Sequence, residues 1–131
     1  MARNQVYKEA DFLSLPVATG KLSGDPVRIG GLNGVLLTNE GSVDNPNLAT
    51  RPYNEAPSSN GPGFASVALK GAFRVPVSTT NALAIGAPVY IITATNVLTT
   101  TDNTGANPLF GHALSAKGAT ANQPVIVRLY N

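Results

Sequence analysis

Seven carboxylates and one histidine, with no cysteine, are the chain's stock for acid–base or metal chemistry. The lack of cysteine removes zinc–thiolate sites, disulfides, thioether haem attachment and thiol redox chemistry, and it leaves the compartment unread. Among the acids only Glu9 and Asp11 lie close in sequence. His112 sits in FGHAL, an alternating run where its phase matches Phe110 and Leu114. A lone histidine in that setting is expected to be a hydrogen-bonded structural residue rather than a base or a ligand. No Gly-x-Ser-x-Gly or His-Glu-x-x-His order occurs. Asp44-Asn45-Pro46-Asn47 fails the alternate-ligand pattern of a calcium loop and has no distal glutamate at the required spacing. Gly30, Gly31 and Gly34 resemble a phosphate loop only in glycine content, because the Lys-Ser/Thr that must follow is missing. The chain is expected to have no enzymatic activity, no cofactor and no metal.

Charge narrows the partners further. Charged residues make up 12% of the 131 positions, and the net charge is +2. That is about half the charged fraction of an ordinary soluble domain. The nine basic residues are scattered, with no basic run interleaved with aromatics, so direct nucleic-acid binding is not expected. A charge-poor surface of Ser, Thr, Asn, Gly and Ala suits an exterior that meets other protein. No run of 18 apolar residues is present and MARNQVYKEADF lacks a signal-peptide core, so the expectation is a protein made in the cytoplasm with no membrane contact.

The elements that would position these groups are strands. GDPVRIGGLNGVLLT at Gly24–Thr38 returns as GAPVYIITATNVLTT at Gly86–Thr100, pairing Gly24 with Gly86, Pro26 with Pro88, Val27 with Val89, Ile29 with Ile91, and Val35-Leu36 with Val97-Leu98. In each copy Gly-x-Pro makes a turn, β-branched residues follow, and a polar break precedes a second apolar run, which is a hairpin pattern. Asn33-Gly34 is the expected turn of the first copy. Ser66–Val77 alternates without fault and predicts one strand, with Lys70 and Arg74 on its outer face. Val89–Ile92 is a continuous apolar block and predicts a strand buried on both faces. Asp102–Gly105 predicts a turn, and further strands are expected at Leu109–Ala116 and Val125–Tyr130. The repeat extends through Phe64, Ala68-Leu69 and Lys70-Gly71 against Phe110, Ala113-Leu114 and Lys117-Gly118. Two related β units would then form one domain over residues 23–131.

Two segments stand outside this scheme. Residues 1–22 follow no clean period and are broken by Pro16 and Gly20, so they are either a first strand laid on the chain's own core or an arm that docks on a partner by edge pairing. Residues 39–63 are proline-rich, lack apolar periodicity and predict a long solvated or partner-facing loop.

Taken in order, several of these residues resemble one family. The start MARN, Ser-Gly-Asp-Pro-Val at Ser23–Val27, Gly-Gly-Leu-x-Gly-Val at Gly30–Val35, Val-x-Leu-x-Gly-x-Phe-x-Val-Pro at Val67–Pro76, Gly-x-x-Val-Tyr at Gly86–Tyr90, Gly-x-Ala-Leu at Gly111–Leu114 and Val-x-Val-Arg-Leu at Val125–Leu129 are similar to the tailed-bacteriophage capsid decoration, or cement, proteins. The resemblance covers nearly the whole chain and lies in the order of the motifs. It implies an all-β, barrel-like or β-tulip domain, a homotrimer on the outer surface of the virion capsid, and an N-terminal arm reaching across the major capsid protein. Family members also carry a recombinase-associated label, which the missing nucleotide loop does not support. On this reading Val6, Tyr7, Phe12, Leu13 and Leu15 are expected to touch the capsid, and Arg51, Tyr53, Lys70 and Arg74 to face a partner. The alternative is a phage surface or tail-associated β module that binds host glycans through Arg51 and Tyr53, for which a total of eight Phe and Tyr residues is a thin supply.

Overall fold

The computed structural model describes residues 11–44 and 60–131. They are all-β apart from one helical turn, α1, at Gly41–Asp44. The duplicated stretch forms a hairpin each time. β2 (Pro26–Ile29) pairs antiparallel with β3 (Leu32–Leu36), and β6 (Pro88–Ile92) pairs antiparallel with β7 (Val97–Thr99). Gly24 and Gly86, which open the two copies, share a left-handed backbone with φ of 90° and 85°. The first turn is not at Asn33-Gly34. Ile29 pairs with Leu32, so Gly30-Gly31 turns the chain and Asn33 lies within β3. The copies diverge at the next strand: β4 (Phe64–Ala68) adds to β3, whereas β8 (Leu109–Ala113) adds to β6. The repeat is therefore one of hairpins, each extended on a different side.

The uninterrupted strand predicted over Ser66–Val77 is two strands in two different layers. β4 ends at Ala68 and β5 runs from Ala72 to Val77. Between them Gly71 adopts φ 116°, which a residue with a side chain rarely does. β4 lies in a four-stranded sheet of order β1-β4-β3-β2, where β1 is Phe12–Pro16. β5 enters a closed barrel of order β5-β7-β6-β8-β9, where β9 is Gln123–Leu129. It runs antiparallel to β9 from Ala72↔Arg128 to Val77↔Gln123, and a parallel contact at Val77↔Leu98 closes the barrel. Val89–Ile92 is not buried on both faces: Val89 and Ile91 are buried, while Tyr90 and Ile92 are half-buried. β8 stops at Ala113, short of the predicted Ala116.

Each layer has its own core. The barrel closes on a core of twelve buried residues, eleven of its own, among them Phe110, Leu98, Ile91, Val75, Val125 and Val127, and Val35 from the sheet. The sheet buries four, Val27, Leu36, Ala65 and Val67, with Leu15, Val17 and Ile29 from its edges packed on them. At about 1.5–3 kcal/mol for each large apolar side chain buried, the barrel carries most of the hydrophobic stabilisation. Asparagines join the layers. Buried Asn33 donates through Nδ2 to the carbonyls of Leu109 and Tyr130 (2.8 and 2.7 Å), and Asn131 donates to the carbonyls of Asn33 and Leu69 (2.8 and 2.6 Å).

Candidate functional site

β1 is one of the two edge strands of the sheet, and its register shows which backbone groups face outward. Leu69 N–H donates to the Asp11 carbonyl and Val17 N–H to the Gly63 carbonyl, at 2.7 and 2.9 Å. Antiparallel pairing alternates, so Leu13 and Leu15 bond toward β4, and Phe12 and Ser14 turn their N–H and C=O away from the sheet. An outward row of backbone groups is a template for another strand. Pro16, without an N–H, ends it. The Phe12 side chain is 66% exposed, a large apolar surface beside that open edge. Leu15 packs on the sheet core, and Leu13 is half-buried. Val6 and Tyr7 of the expected arm lie outside the described residues, as do Arg51 and Tyr53 of the expected loop site.

Of the two strand cations expected to share one face, Lys70 lies in the connection between β4 and β5, and Arg74 lies exposed on β5. Lys70 Nζ is 3.9 Å from Asp11 Oδ1, with both side chains at least half exposed. Solvent-screened pairs of this kind contribute about 0–1 kcal/mol. His112 departs from the sequence expectation. Pro88↔His112 and Val89↔Gly111 are followed by Tyr90↔Leu109, so Phe110 is the extra residue of a β-bulge. The bulge buries both Phe110 and Gly111 and reverses the phase beyond them, leaving His112 exposed. Its ring meets Tyr130 edge-on, with centroids 6.3 Å apart. Among the described residues no cluster of three or more His, Cys, Asp or Glu could hold a metal ion, and no helix is long and apolar enough to cross a membrane.

Two buried charges escaped the sequence reading, and both close loops. Glu40 has no exposed surface, and its carboxylate accepts from the Ser42 hydroxyl and from the N–H groups of Gly63, Ser42 and Gly20. These donors, the Ser42 hydroxyl first, hold the carboxyl at about 2, well below its ordinary value. Gly41 lies so close to the Asn60 and Gly61 carbonyls that a Cβ would collide with them. The ends of the long loop are thereby fastened to each other and to the Gly20 turn. In the barrel, Lys117 is 4% exposed, and its ammonium donates to the carbonyls of Thr79, Asn81 and Gly118 at 2.6, 2.9 and 3.0 Å. It fixes the polar link between β5 and β6. Neither residue has a signature readable in one sequence, since an isolated acid before a glycine and a Lys-Gly pair both look like ordinary turn residues.

The open edge of β1 lies beside the exposed Phe12, a combination suited to binding another chain. No curated protein and no solved structure matches the chain. The model of the phage cement protein family matches residues 8–129, nearly the whole length and every strand of both layers, and the chain belongs to that family.

Proposed function

We propose that the protein binds the outside of an assembled phage head as a homotrimer and bridges subunits of the major capsid protein. Membership of the cement family supports a structural, capsid-stabilising role. The observation that carries the finer reading is the open edge of β1 beside the exposed Phe12. A strand of the shell laid along this edge would gain backbone hydrogen bonds, and Phe12 would supply apolar contact. Three copies around one axis would turn modest contacts into firm attachment, because each bound copy raises the effective concentration of the next. This role needs no catalysis.

The direct test is cosedimentation with purified undecorated heads. Ser14→Pro removes an outward N–H without touching the β4 ladder, and Phe12→Asp removes the apolar contact. The double variant is expected to stay folded and to lose head binding, while wild type saturates the heads and sediments alone as a trimer. Full occupancy by the variant would sink the edge-pairing reading.

A further inference from the structure

The three exposed cations among the described residues, Lys70, Arg74 and Arg128, share one part of the surface. Ala72 pairs with Arg128 and Arg74 with Ile126, so the two arginines are diagonal neighbours on the outer face of β5 and β9. Like charges at that spacing repel, and no acid among the described residues forms an ion pair with either. Leu114, 48% exposed, adjoins Ile126, its N–H donating to the Ile126 carbonyl at 2.7 Å. The strip thus has a basic end and an apolar end. At the basic end it opens into a cleft of about 490 Å³ between barrel and sheet, lined by Lys70, Arg128, Leu32 and Leu129, and by Asp11 just before β1. The remaining cations differ: Lys117 is enclosed by carbonyls, Arg28 bonds the Asn33 side chain at 2.7 Å, and Lys21 is half-buried.

We infer that this strip and cleft receive an acidic protein surface with an apolar neighbour, and that this surface belongs to the head. The inference rests on the capsid-binding reading and names the chemistry of the partner face. Two arginines held together without counter-ions are a cost in the free protein that an opposing carboxylate pair removes, and Arg is suited to bidentate capture of carboxylates. The strip is contiguous through Asp11 with the edge of β1, so one partner can engage both. Three cations spread over an apolar face are too sparse to follow a nucleic-acid backbone.

The experiment measures binding of the full chain to undecorated heads at low and high salt, for wild type, for Arg74→Glu/Arg128→Glu, and for Thr93→Glu/Ala94→Glu in the exposed β6–β7 turn. Wild type is expected to weaken with salt. The arginine reversal should bind roughly tenfold or more weakly at low salt, with unchanged melting. The turn variant should match wild type. Where the reversal fails to fold, Arg74→Gln/Arg128→Gln replaces it and should lose most of the salt dependence. If wild type fails to bind heads at all, the capsid reading falls. If wild type binds and the arginine variant binds equally well, or the turn variant is equally impaired, the strip is not the contact and this inference falls. Binding of duplex DNA by wild type that the arginine variant loses would also overturn it, in favour of a nucleic-acid face.

Discussion

The sheet and the barrel start from the same hairpin and end with different amounts of unfinished business. In the barrel, β8 joins β6, β9 joins β8 and β5, and the circle closes at Val77↔Leu98, leaving no free edge. In the sheet, β4 joins β3, β1 joins β4, and among the described residues the outward groups of Phe12 and Ser14 have no strand partner. Closure removes the edges that invite another chain, and an open sheet retains them. One half is closed on itself, and the other keeps an open margin among the described residues. Each half also buries one charge against backbone: Glu40 takes N–H groups in the sheet, and Lys117 takes carbonyls in the barrel.

Substitutions can break this comparison. The largest effect is expected in the barrel, where Phe110→Ala should cost about 3–5 kcal/mol by urea denaturation. Val67→Ala in the smaller sheet core should cost about 2 kcal/mol. Both variants should unfold in one transition, because Asn33 and Asn131 join the layers. Two separate transitions for Val67→Ala would show that the sheet melts independently. Next in size, Lys117→Met leaves the Thr79, Asn81 and Gly118 carbonyls without their donor, at about 1–3 kcal/mol for a buried polar group left unpaired. Lys117→Arg should not restore stability, since a planar fork does not fit a cage made for a compact ammonium.

The last comparison, which distinguishes the halves, is read as a pH profile and concerns acid. Glu40 is held at about 2 in the folded chain against an ordinary value of 4.5. A depressed carboxyl contributes stability that is fully present above its unfolded value and is lost as the pH falls through the folded one. Wild type should therefore lose stability as the pH falls from 4.5 toward 2, and Glu40→Gln should flatten part of that slope. An unchanged acid profile in Glu40→Gln would show that the carboxylate does not contribute as its hydrogen bonds suggest.

The hairpins were legible because Gly-x-Pro and β-branched runs are local signals. Their joining was not. Val67 and Val75 keep one phase across Gly71, so alternation looked continuous through a change of sheet: a period of two reports which face is buried and nothing about which strand is the neighbour. Asn33-Gly34 has the composition of a turn, yet Asn33 is used as a buried cross-layer donor and Gly30-Gly31 makes the turn. The bulge at Phe110 inverted the phase on which the His112 expectation depended. The sequence allows the first segment to be either a strand on the chain's own core or a docking arm, and Phe12–Pro16 lies on the chain's own β4, its outer edge unpaired among the described residues. Glu40 and Lys117 act through backbone atoms distant in sequence, which no residue pattern encodes.

The fastening at Glu40, Gly41 and Gly63 also has a use in engineering. Residues joined on either side of 45–59 are held by contacts within the fold, so foreign sequence placed there extends a circuit whose ends are already fixed. Each doubling of such a segment costs only about 0.6 kcal/mol in closure entropy. Among the described residues, this is therefore where added length is expected to cost the fold least.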